Sequence, residues 1–152
     1  MVQVNHRTIP LLLARLVLTW VFISAGLPKV QDPLAFSVSI ENYRVVGGSL
    51  ALWAAIILPW LELIIGIGLL TPWLRRASAC TMAALLSLFI GLHASAWFRG
   101  LDINCGCFGQ SAGAAENPDY HWLILRNLAL LILAVYVLRP SWGNKNTPQG
   151  SK

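Results

Sequence analysis

The stretch SLALWAAIILPWLELIIGIGLLT, residues 49–71, decides the fold. Its one charge is Glu62, and its length is close to the ~20 residues with which a helix crosses a hydrocarbon core of ~30 Å. Three segments of the same kind accompany it: about Ile9 to Leu27, Leu74 to Trp97 and Pro118 to Leu138. The chain is 57% hydrophobic and 11% charged, with a mean hydropathy of +0.65, whereas soluble domains carry about 25% charge. A soluble fold of 152 residues has too little interior for that much apolar surface. The expectation is an all-α membrane protein with the lipid bilayer as its solvent. Residues 1–140 form a single four-helix transmembrane domain with spans near 9–27, 49–71, 74–97 and 118–138, and residues 141–152 form a polar, disordered tail. Ser24-Ala25-Gly26 looks like a signal-peptide processing site, but Arg15 interrupts the apolar run and Arg7 is the one firm charge before it. The segment therefore reads as a retained span.

Basic residues set the orientation. Four spans put both termini on one side. That side holds six basic residues: Arg7, Arg75, Arg76, Arg139, Lys145 and Lys152. The other side holds three: Lys29, Arg44 and Arg99. Both termini are therefore expected in the cytoplasm of a bacterial inner membrane, with loops 28–48 and 98–117 facing the periplasm. Trp53, Trp97 and Trp122 fall near the outer boundary, Trp73 and Trp142 near the inner one, as an aromatic belt requires. The net charge of +5 does not point to nucleic acid, because the basic residues are scattered at segment ends and form no patch.

The first outer loop carries its own helix signal. Asp32-Pro33 reads as an N-cap followed by proline at N1, and Gly47-Gly48 as a stop. Leu34, Phe36, Ile40, Tyr43 and Val45-Val46 then give one apolar face, suited to a short helix on the membrane surface. An irregular loop capping the bundle is the other reading.

The second outer loop carries the chemistry. Cys105-Gly106-Cys107 can close only a very small disulfide ring, under strain, and glycine best tolerates the backbone this needs. Strain makes such a pair easy to reduce and therefore oxidising, and the outer compartment is where disulfides persist. Three readings stand: reversible dithiol–disulfide exchange, a structural disulfide, or soft-metal binding. Met1, Met82 and Cys80 are placed elsewhere, so no metal site is assigned. Cys80 lies ~25–30 Å from the pair at ~1.5 Å per residue and reads as a small core residue. Arg126, about two turns into the fourth span, is a candidate thiolate stabiliser; snorkelling or a bond to a loop carbonyl are its alternatives. His93 is a candidate proton acceptor, or a buried polar residue bonded to a neighbouring helix.

Arg15 and Glu62 lie inside the membrane, at depths of ~9 and ~13 Å counted from the ends of their segments. Isolated charges there cost several kcal/mol, so a pair is expected. It would fix helix register, or offer a polar site to a substrate or quinone headgroup beside a kink at Pro59.

Asn104-Cys-Gly-Cys-Phe-Gly109, followed by Arg126-Asn127 in an apolar helix, resembles the MauE branch of the DoxX-like membrane proteins. So do Arg15…Gly26-Leu-Pro-Lys29…Asp32-Pro33 and Pro59-Trp-Leu-Glu62, and the likeness covers residues 10–138. It implies a four-helix bundle, and a part in methylamine utilisation through maturation of a disulfide-rich periplasmic dehydrogenase subunit. It marks Gly106, Phe108, Gly109 and Asn127 as part of the motif. Quinone-linked disulfide-generating enzymes generally carry two cysteine pairs, and this chain has one. The leading expectation is a thiol–disulfide redox protein whose partner is a periplasmic thioredoxin-like or cysteine-rich protein. A non-enzymatic membrane subunit or chaperone, and a small carrier built on Arg15 and Glu62 that acts as a homodimer, are the alternatives.

Overall fold

The computed structural model describes residues 8–101 and 120–138. Five helices follow in order: α1 (Thr8–Gln31), α2 (Pro33–Asn42), α3 (Ser49–Gly68), α4 (Arg75–Phe98) and α5 (Tyr120–Leu138). No strand occurs among the described residues. All the helices but α2 are long and apolar enough to cross a membrane. Their outward faces carry Leu12, Leu16, Trp20, Ile57, Trp60, Ile64, Leu125 and Ile132, all more than 40% exposed. So broad an apolar surface would aggregate in water; lipid is its natural surrounding.

The core runs through all four long helices. Leu18 and Phe22 of α1 cluster with Ile65 of α3, Leu69 just after it, Met82 and Leu86 of α4, and Ala134 and Val137 of α5. Helix α1 packs mainly on α3, and α4 mainly on α5. Lipid tails are as apolar as leucine, so close packing and polar bonds must hold such a bundle together. Two glycines allow it. A Cβ at Gly26 would stand 3.2 Å from the Pro59 carbonyl and the Leu63 side chain. A Cβ at Gly68 would collide with Ser78 Oγ, where α3 turns back into α4. Thr19 Oγ1 donates to the Gly66 carbonyl at 3.0 Å, which sets the antiparallel register of α1 against α3.

The first helix extends past the expected Leu27 through Pro28 to Gln31. Asp32 alone separates it from α2; its carboxylate accepts from the Ala35 amide at 2.9 Å, with Pro33 in the first turn. The cap signal in Asp32-Pro33 is thus realised. Helix α2 ends earlier than Gly47-Gly48, because Arg44 takes a left-handed φ of 51°. Glu41 Oε1 accepts from the Gly48 amide at 2.7 Å and closes the connection to α3. Helix α2 rests chiefly on α3. Arg99, just past α4, donates to the Tyr43 carbonyl at 3.1 Å. This end of the bundle is the α2 end.

Cys80 is exposed, not in the core as expected. At ~100° per residue, the α4 face that buries Ser78, Ala79 and Met82 turns Cys80 outward.

Candidate functional site

Near the α2 end the bundle interior is polar. Lys29 Nζ stands 2.8 Å from Glu62 Oε1 and 2.9 Å from Oε2, with both side chains under 5% exposed. The ammonium also lies over two aromatic faces, 4.9 Å from the Phe36 ring centre and 5.6 Å from that of Phe89.

This replaces the expected pairing of Glu62 with Arg15. The Thr19–Gly66 bond fixes the register. From it, Glu62 lies one turn along α3 towards the α2 end, while Arg15 lies one turn along α1 the other way. Helical side chains also lean towards their own N-terminus. Lys29 and Glu62 therefore lean towards each other, and Arg15 leans away. Arg15 instead feels Arg75, a like charge at the start of α4. From the sequence, Lys29 falls in the outer loop 28–48, because the apolar run ends at Leu27. The signal that could have found it is Gly26, whose missing side chain lets α1 run on against α3.

Arg126 and Asn127 complete the cluster from α5. Together with Lys29, Glu62, Ala25, Phe89 and neighbours they line a cavity of about 40 Å³. That is room for about three waters, since one needs about 10–15 Å³ on this measure. A second cavity of about 210 Å³ lies between α2, α3 and α4, and Lys29 and Phe89 wall both.

His93 is fully buried on α4. Its Nδ1 bonds to the Phe89 carbonyl, and its Nε2 lies 3.5 Å from the Tyr43 hydroxyl. A carbonyl only accepts, so Nδ1 carries the proton and, in the neutral ring, Nε2 accepts from Tyr43. His93 thus ties α4 to the segment just after α2, and it interacts electrostatically with Arg126. Cys105, Gly106, Cys107, Phe108 and Gly109 lie outside the described residues. No group of three or more metal-binding side chains occurs among the described ones.

Four apolar spans around a buried charge cluster define a multi-pass membrane protein. A family model described as "Methylamine utilisation protein MauE" matches residues 7–140. The chain is 36% identical over 136 residues to the methylamine utilization protein MauE of Methylophilus methylotrophus, covering 89% of this chain and 70% of that one. It is 32% identical to that of Paracoccus denitrificans, over 81% of this chain and 65% of the relative. The MauE of Methylorubrum extorquens is 33% identical, over 76% and 60%. The chain belongs to the MauE family. It spans between 60% and 70% of the length of these relatives. No solved structure matches it.

Proposed function

We propose that the protein is a thiol–disulfide redox component of the bacterial inner membrane, serving methylamine utilisation. Cys105 and Cys107 exchange with the cysteines of a periplasmic thioredoxin-like or cysteine-rich partner. The observation that carries this reading is the Cys-Gly-Cys spacing, whose small ring favours an oxidising, easily reduced disulfide. In the exchange, two thiols of the partner become a disulfide. Their two electrons and two protons convert the pair here to a dithiol. Three further points support it. The MauE relatives are named for methylamine utilisation. The excess of basic residues on the termini side favours a periplasmic Cys-Gly-Cys loop. Arg126, in the first half of α5, is the candidate guanidinium that would favour the thiolate.

Thiol trapping in intact cells tests it, with growth on methylamine as the second readout. The pair should shift between alkylated and protected forms with the redox state of the medium. The Cys105→Ser/Cys107→Ser chain should lose partner disulfide formation. A pair that never changes state, or a double variant with full partner disulfide formation, overturns the reading. One Cu(I) bound per chain and lost on alkylation would favour a metal-handling subunit instead.

A further inference from the structure

We propose that the larger cavity, between α2, α3 and α4, holds the ring of a membrane-soluble quinone, with Lys29 at its polar end. The cavity measures about 210 Å³. An apolar cavity of ~150 Å³ takes up benzene, so this one has room for a six-membered ring with several small substituents. Phe36, Phe89, Tyr43, Ala54 and Leu58 are among the residues that line it. Ala54, Leu58 and Phe89 belong to helices that cross the apolar layer, where a lipid-soluble ligand is already concentrated.

The polar end distinguishes a quinone from a lipid tail. Lys29 is 4% exposed and its ammonium has three protons. Among the described residues, Glu62 supplies two acceptor oxygens to it. Its other neighbours are the ring faces of Phe36 and Phe89, at 4.9 and 5.6 Å from the ring centres, and both residues line the cavity. A buried donor lacking an acceptor costs ~1–3 kcal/mol. A quinone carbonyl oxygen removes that cost, and an alkyl chain does not.

The redox chemistry of the ring rests on the function proposed above. One cysteine pair that hands a disulfide to its partner is left as a dithiol and must be reoxidised. The dithiol loses two electrons and two protons and becomes a disulfide again; the quinone takes up both and becomes the quinol.

The test is direct binding to the full chain in lipid nanodiscs, with decylubiquinone as the probe. Binding is read in the Cys105→Ser/Cys107→Ser chain as well as the wild type. Failure of the cavity is thereby separated from failure of the thiol chemistry, which thiol trapping reads. Saturable binding of one quinone per chain is expected in both. Ala54→Phe fills the cavity and should weaken binding at least about tenfold, or about 1.4 kcal/mol, while circular dichroism shows an intact helical fold. Leu92→Phe, from the α4 wall, serves if Ala54→Phe does not fold. Three outcomes overturn the proposal: no saturable binding, binding indifferent to the cavity-filling change, or equal displacement by decanol, which has the chain without the ring.

Discussion

Lys29 on α1 and Glu62 on α3 meet through both carboxylate oxygens, at 2.8 and 2.9 Å, with both side chains buried in the bundle. Each charge makes the other tolerable. A lone ion at such depth keeps its desolvation cost without the Coulombic return.

Breaking the pair from either side should therefore be severe. Lys29→Met or Glu62→Leu alone should cost ~3–5 kcal/mol. The double substitution should recover most of that loss, because two apolar side chains of similar size strand no charge. Thermal unfolding in detergent measures it. Additive losses in the double variant would show that the pairing is not what makes the single changes costly.

The α3–α4 turn offers a second-site rescue. A Cβ at position 68 collides with Ser78 Oγ but keeps an ordinary 3.6 Å from Ser78 Cβ. Gly68→Ala should destabilise by ~1–3 kcal/mol through overpacking. Adding Ser78→Ala removes the offending oxygen and should restore the melting midpoint to within a few degrees of the parent. A Gly68→Ala chain as stable as the parent would contradict this contact.

His93 should carry a proton on Nδ1, since Phe89 offers that nitrogen only an acceptor. Nitrogen-15 NMR of histidine-labelled protein reads the tautomer directly. Tyr43→Phe removes the donor facing Nε2 and should cost ~0.5–1.5 kcal/mol. The Nδ1 tautomer should persist in that variant; an Nε2-protonated ring would reverse the assignment.

Cys80 faces outward, so Cys80→Leu should change stability by less than ~0.5 kcal/mol. Its neighbour Ala79 is fully buried, and Ala79→Leu should cost ~1–3 kcal/mol by overpacking. Comparing the two melting curves checks the rotation of α4.

The long helices were legible because length and hydropathy are local properties. The Asp32-Pro33 cap was legible for the same reason: it needs only the amide of Ala35, three residues on. The partner of Glu62 was not. Counting depth from helix ends assumes that the ends align, whereas the register is set laterally, by Thr19 against Gly66 and by the gap at Gly26. The span boundary at Leu27 compounded the error. Proline commonly ends a helix, yet here Asp32 still donates its amide to the Pro28 carbonyl at 3.1 Å and the helix carries Lys29 inward. Cys80 was misplaced because a small apolar residue on a lipid-facing helix has no hydropathy contrast to show which way it points.

The mutual dependence of Lys29 and Glu62 also bears on how this sequence can drift. Each is a poor neighbour without the other, so a lineage that loses one passes through a crippled intermediate before the second can follow. The two positions are expected to change as a unit: kept together, exchanged together for apolar residues, or swapped in sign. Lys29 also walls both cavities. A lineage that abandons the pair gives up, in the same step, a cation that both cavities share.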